Sequence, residues 1–198
     1  ELVGHIGLVH AARNARTDAL ACFREAIELA EARGVPADRE RWAGAMGVVL
    51  SEMSPSEEAL EKLKEALELA TESGNRQSQA TWRAELGIHW FAAGRYERAT
   101  QELSRALAIA RDIGFARYEA WAEIYLGAAI LERDYDRVEE ARAHIEAGLE
   151  RAQEIGNDEL RIMGLVFLSR VLKAEGESQK AADAIERAEI LSLASQNL

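Results

Sequence analysis

Cysteine is almost absent from this chain: Cys22 stands alone among 198 residues, so no internal disulfide can form. That excludes the disulfide-stapled secreted class and makes a reducing, cytoplasmic setting the expectation. Proline is nearly as scarce, with only Pro36 and Pro55, whereas alanine occurs 37 times and apolar residues make up 48%. Such a balance favours helices over strands. Positive charge is in deficit, with 24 Lys+Arg against 35 Asp+Glu and a net charge of −11. Without a basic footprint to grip phosphates, nucleic acid is not expected as a direct partner. No run approaches 18 consecutive apolar residues, and no basic segment followed by an apolar one opens the chain. Neither a membrane-spanning helix nor a signal peptide is expected. An initial methionine is missing too, which predicts a segment of a larger protein.

What the chain does have is a period. Gly7, Gly47, Gly87 and Gly127 recur at a step of 40, each preceded by Ile6, Met46, Leu86 or Leu126. Ala19, Ala59 and Ala99 share that step, as do Ala26, Ala66 and Ala106, then Ala30, Ala70 and Ala110, then Gly34, Gly74 and Gly114. In the fourth unit the later columns fall at Ala141, Gly148, Ala152 and Gly156, a step of 42, so two residues are inserted after Gly127. The fifth unit resumes with Leu168-Ser169, Ala181 and Ala188. The 198 residues thus divide into five units, about 1–36, 37–76, 77–116, 117–157 and 158–198, forming a single domain.

Each unit reads as two helices. Ala59, Leu60, Leu63, Ala66, Leu67 and Ala70 follow a 3.6-residue spacing, and Gly34, Gly74, Gly114 and Gly156 stand where a left-handed residue ends a helix without a Cβ clash. Helices are predicted at about 1–13, 18–33, 37–53, 55–73, 77–93, 96–113, 117–133, 137–155, 158–175 and 178–194. Ser54-Pro55-Ser56-Glu57 reads as a capping box with Ser54 as the cap. Glycine in the first helix and alanine in the second allow close approach, with Phe23, Leu63, Leu103, Ile145 and Ile185 filling the space one turn later. One such hairpin cannot bury its apolar face, but five stacked hairpins can, which predicts an all-α solenoid of antiparallel helix pairs.

The run Leu86-Gly87, Trp90, Gly94, Tyr96, Ala99, Leu103, Ala106 resembles the tetratricopeptide repeat. The standard repeat is 34 residues long. A 40-residue unit ending in glycine looks like the longer form found in maltose-regulator-type transcription activators, related signalling ATPases and Leu-Gly-Asn adaptors. The resemblance implies a right-handed superhelix whose first helices line a concave groove that binds peptides or proteins. It also implies that residues one and four places after the first-helix glycine face that groove: Leu8/Ala11, Val48/Ser51, Ile88/Phe91, Ala128/Leu131 and Arg170/Lys173.

No enzyme signature accompanies the repeat. There is no His-Glu-x-x-His, no phosphate loop, no Gly-x-Ser-x-Gly and no cysteine pair at zinc spacing. His5 and His10 diverge by about 140° around a helix, and His89 and His144 lie in different units. No cofactor, metal or catalysis is expected. The predicted site is therefore an apolar groove through Leu8, Val48, Ile88, Phe91, Trp121, Ile124 and Leu131, suited to an amphipathic helix or apolar peptide. Two alternatives stay open: these side chains instead pack against the next unit, and Arg170 with Lys173 either meet a carboxylate or form the polar face of a terminal repeat. As for function, a protein-binding scaffold stands beside a ligand-sensing domain of a larger regulator. Ile190, Leu191 and Leu193 in the last unit add self-association as an expectation.

Overall fold

The structure, a computed structural model, describes residues 1–195; positions 196–198 of the fifth predicted unit lie outside the described residues. Ten α-helices run in antiparallel pairs: α1 (Leu2–Ala12) with α2 (Arg16–Arg33), α3 (Pro36–Met53) with α4 (Glu57–Glu72), α5 (Arg76–Ala92) with α6 (Tyr96–Asp112), α7 (Ala116–Arg133) with α8 (Val138–Glu154), and α9 (Asp158–Ala174) with α10 (Ser178–Ser195). The fourth unit, two residues longer, carries a 3-10 turn, Tyr135–Arg137, between α7 and α8. No strand occurs among the described residues.

The repeated glycines work as sockets. A Cβ on Gly7 would lie 2.7 Å from the Phe23 ring, one on Gly47 would lie 2.8 Å from Leu63, one on Gly87 would lie 2.5 Å from Leu103, and one on Gly127 would lie 2.7 Å from Ile145. Each first helix therefore accepts the large residue of its own second helix where a side chain would hold the two apart. A second set of sockets joins neighbouring units. Gly4 lies against the indole of Trp42, and Gly44 lies against that of Trp82. The pair ends turn where expected, with Gly34, Gly74, Gly114 and Gly156 all at φ between 63° and 70°. One predicted cap is corrected. Ser54 is extended and follows α3, while Ser56 caps α4 by accepting from the Ala59 backbone N–H at 3.1 Å. The proline makes the residue before it extended, so the helix starts one serine later than the pattern implied.

Units stack through one column of each first helix. Trp42, Met46 and Val49 of α3 are buried with Leu20, Phe23 and Ile27 of α2; Trp82 and Leu86 of α5 cluster with Leu60, Leu63 and Leu67 of α4; Leu126, Ala129 and Ile130 of α7 cluster with Leu103 and Leu107 of α6. His89 occupies the same column as Val49 and is buried, with its Nδ1 2.9 Å from the Ser51 hydroxyl. Burial holds the imidazole below its ordinary pKa. The hydrogen bond from the Trp82 indole to Glu40, at 2.9 Å, ties α5 to α3. Successive first helices, α3 with α5, α5 with α7 and α7 with α9, pack against each other, whereas the second helices do not pack side by side. The stack therefore curves with the first helices on the inside.

A buried carboxylate also ties the fourth unit to the third. Glu123 on α7 is 2% exposed, and its two oxygens are taken by Arg111 of α6 and, at 2.6 Å, by Nδ1 of His144 on α8. Three consecutive helices are thereby joined by one carboxylate.

Candidate functional site

The inner face takes its side chains from α3, α5, α7 and α9. Around the helix, positions six and two places before the repeated glycine and one place after it fall on one stripe, since 3.6 residues complete a turn. That stripe reads Arg41, Ala45, Val48 on α3; Thr81, Glu85, Ile88 on α5; Trp121, Tyr125, Ala128 on α7; and Met163, Phe167, Arg170 on α9. Aromatic rings dominate its centre. Tyr118 stacks on Trp121 with centroids 5.5 Å apart, and Arg117 lies 5.7 Å over the Trp121 ring. Further along, Phe91, Tyr125 and Phe167 form a triangle across three helices, with centroids 5.7, 5.8 and 5.5 Å apart. Edge-to-face contacts of this kind stabilise beyond their buried area. The Trp121 Nε1 is enclosed without an acceptor among the described residues.

A carboxyl sits among these rings. Burial pushes Glu85 up to about 7; Glu52 on α3 adds to the rise, and Arg117 on α7 opposes it. Tyr118 and Tyr125 are both pushed up to about 12, first by burial and then by the nearby Glu85. Glu159 and Glu52 add to the effect at Tyr125. Four helices thus direct acid and phenol groups at one patch, with Arg117 beside them.

The Glu85 shift has a definite sign. Its folded value lies above the ordinary carboxyl value, so the group favours folding below about pH 4.5 and loses that contribution as pH rises through about 7. Glu85→Gln should therefore stabilise the chain by about 2 kcal/mol at pH 8, on 1.36 kcal/mol per pKa unit reduced for the water the group still touches. The gain should vanish by pH 4. Urea melts at both pH values check this, and an equal gain at both would contradict the assignment.

The residues expected to line the groove are distributed unevenly. Val48, Ile88, Phe91 and Trp121 are half-buried on or beside the inner face, and Leu8 is exposed on α1. Ile124 and Leu131 are buried in the core and offer no surface, because α7 is enclosed by α5, α6, α8 and α9. Arg170 is exposed and paired with Glu132 of α7, and Lys173 is exposed on the same helix. Glu85, Tyr118, Tyr125 and Phe167 were not among the expected residues. The signal that finds them is the column two places before the glycine, which reads Ala45, Glu85, Tyr125 and Phe167.

Two larger clefts lie off this face. One of about 670 Å3 is bounded by Thr100, Arg105, Arg111, Arg133 and His144, and another of about 870 Å3 by Lys64, Trp90, Arg95, Tyr96 and Arg133. Both are rimmed by charges of both signs, many already paired, and neither gathers the aromatic rings or the shifted carboxyl. The inner face is therefore the candidate site. No cluster of His, Cys, Asp or Glu able to hold a metal occurs among the described residues.

The tetratricopeptide-repeat family profile matches residues 38–112, the second and third units. Those two units are tetratricopeptide repeats. Solved structures of the same fold extend the likeness to the remaining units. A Rap protein complexed with competence and sporulation factor is 16% identical, with a TM-score of 0.85 over 96% of this chain and 53% of that one. Kinesin-light-chain TPR-like repeats of Podosopora anserina are 16% identical, with a TM-score of 0.72 over 99% and 95%. A Signal Transduction ATPase with Numerous Domains from Pyrococcus horikoshii, with a tetratricopeptide repeat sensor, is 19% identical, with a TM-score of 0.70 over 88% and 27%. The chain thus spans about half of the Rap protein. No curated protein matches it in sequence. No helix among the described residues is long and apolar enough to cross a membrane.

Proposed function

We propose that this chain is a protein-interaction scaffold that holds a peptide or an amphipathic helix on its inner face. The observation that carries this reading is the convergence of Glu85 with Tyr118, Trp121 and Tyr125 on one stripe shared by four helices. Half-buried rings give a rigid apolar surface, and Glu85 with Glu52 suits a basic side chain next to an apolar one. Arrival of that cation draws Glu85 back to its ionised form, so binding near neutral pH releases a proton. Val48 and Ile88 extend the apolar strip towards α3, while Arg170 and Lys173 give its α9 end positive charge. The likeness to a Rap protein solved with competence and sporulation factor supports this use of the fold.

The test is a selection of peptides from a displayed library on the full chain, repeated on Ile88→Asp. Selected peptides should bind Ile88→Asp at least about tenfold more weakly, a loss of about 1.4 kcal/mol, with the far-UV helical signal unchanged. Equal affinity would move the site off the inner face. A second reading, a sensory domain that biases an attached output domain, is favoured by the likeness to the ATPase with a tetratricopeptide repeat sensor. It predicts that a groove ligand changes the activity of the parent protein, and Ile88→Asp should abolish that change.

A further inference from the structure

Four cations in the middle of this acidic chain meet no acid. Lys64 on α4, Arg95 and Arg98 at the start of α6, and Arg133 at the end of α7 all line the cleft of about 870 Å3, and none makes an ion pair among the described residues. With 35 Asp+Glu to 24 Lys+Arg, carboxylates are in excess, and Arg39, Arg83, Arg105, Arg142 and Arg151 each pair with one.

Two of the four are held in place by neutral groups instead. The Arg98 guanidinium lies 4.7 Å over the Trp90 ring. Arg133 donates to the Thr100 hydroxyl at 3.2 Å, and that hydroxyl donates on to the Glu97 carbonyl at 2.9 Å. A ring face or a hydroxyl fixes a guanidinium without cancelling its charge, and leaves in-plane N–H groups open to a carboxylate. Arg98 also departs from the repeat. Its place is held by Asp18, Glu58 and Glu140 in the first, second and fourth units, and an acid suits the first turn of a helix where a cation opposes the dipole. Lys180 takes the place in the fifth unit but pairs with Glu177. A cation kept where the local rule disfavours it, with no carboxylate in compensation, is the kind of departure expected at a site.

The cleft follows the edge of the stack where first helices turn into second helices, and Leu60 and Trp90 give it an apolar floor. Glu132 lines it but is taken by Arg170, so Glu57 and Glu97 are the acids left to oppose four cations. Packed helix axes lie about 8–10 Å apart, so charges drawn from α4, α6 and α7 are spread along a trough. That spread suits carboxylates at intervals along a chain better than one compact anion. We propose that this edge cleft binds an acidic peptide segment of a partner protein, with carboxylates on Arg98 and Arg133 and an apolar side chain on the Leu60–Trp90 floor. The site uses none of the inner-face residues, so either site can fail while the other stands.

The probe is an amidated peptide, Glu-Glu-Leu-Glu-Glu-Leu-Glu-Glu, carrying fluorescein at its N-terminus. Its fluorescence anisotropy is followed at low ionic strength as the full chain is added. Saturable binding is expected, weakened at least about tenfold by Arg98→Gln with Arg133→Gln, and lost when every glutamate of the peptide is replaced by glutamine. Both arginines are exposed, and circular dichroism confirms that the helices persist; Lys64→Gln with Arg95→Gln is an independent second pair. Arg13→Gln with Arg33→Gln, two exposed arginines of the first unit, changes the net charge equally and should leave binding intact. Absence of binding, equal binding of the glutamine peptide, or equal weakening by the Arg13 and Arg33 pair overturns the proposal. So does tighter binding of a ten-nucleotide oligothymidylate that Arg98→Gln with Arg133→Gln abolishes, since the cleft then serves nucleic acid.

Discussion

Gly127→Ala should cost the solenoid more than about 3 kcal/mol and lower its melting temperature by roughly 10 °C. The Cβ of the alanine would lie 2.5 Å from the Ala141 carbonyl oxygen, 2.7 Å from Ile145 Cγ1 and 3.1 Å from the Ile145 backbone nitrogen. Two of these neighbours are backbone, so no rotamer change relieves them. Helices α7 and α8 must separate until the contacts reach about 3.5 Å, which also loosens the packing of Ile145. Gly87→Ala is the natural comparison. There the collision is mainly with the Leu103 side chain, at 2.5 and 2.9 Å, and the nearest backbone atom is 3.3 Å away. Leu103 can shift, and a loss of about 2 kcal/mol is expected. Differential scanning calorimetry of the two variants checks the order. If Gly87→Ala proves the more damaging, backbone contact is not what sets the cost.

Arg111→Ala should remove about 3 kcal/mol at pH 8, although Arg111 itself is half-exposed. The cost arises at the other partner. Glu123 is buried, and without the guanidinium its only remaining side-chain partner is the His144 imidazole. An uncompensated buried charge is far more expensive than the pair is favourable. One signature separates this account from simple loss of packing. Arg111→Met with Glu123→Leu should restore most of the stability because neither charge then remains. Chemical denaturation of the single and double variants at pH 8 gives the reading. A double variant as weak as the single one would refute the stranded-charge explanation.

Much of the fold is legible in one dimension because each unit solves its packing internally. The glycines at 7, 47, 87 and 127 and the large residues at 23, 63, 103 and 145 are 16 to 18 residues apart, and a helical hairpin necessarily brings such positions together. The inner face is a different kind of object. Glu85 owes its raised pKa first to burial within the folded stack, with Glu52 adding to it and Arg117 opposing it from 33 and 32 residues away on two other helices. Periodicity identifies the helix stripe but not how far the stack curves, and curvature decides which side chains remain open. Leu131 and Ile124 share the apolar character of Ile88 and Phe91, yet α7 lies between two first helices and two second helices, and closes over them. The Glu123 cluster was illegible for the same reason. The partner of His144 stands 21 residues away across a hairpin.

The pairing of each glycine with a bulky residue of its own hairpin has a bearing on how such a chain arises. A duplicated stretch of 40 residues carries both halves of its fit along with it, so the copy arrives already shaped for its mate. Lengthening by duplication then requires no invention of a new core. It requires only that one outward column match the last, and drift is free to rewrite the inward stripe, as it has done at Ala45, Glu85, Tyr125 and Phe167.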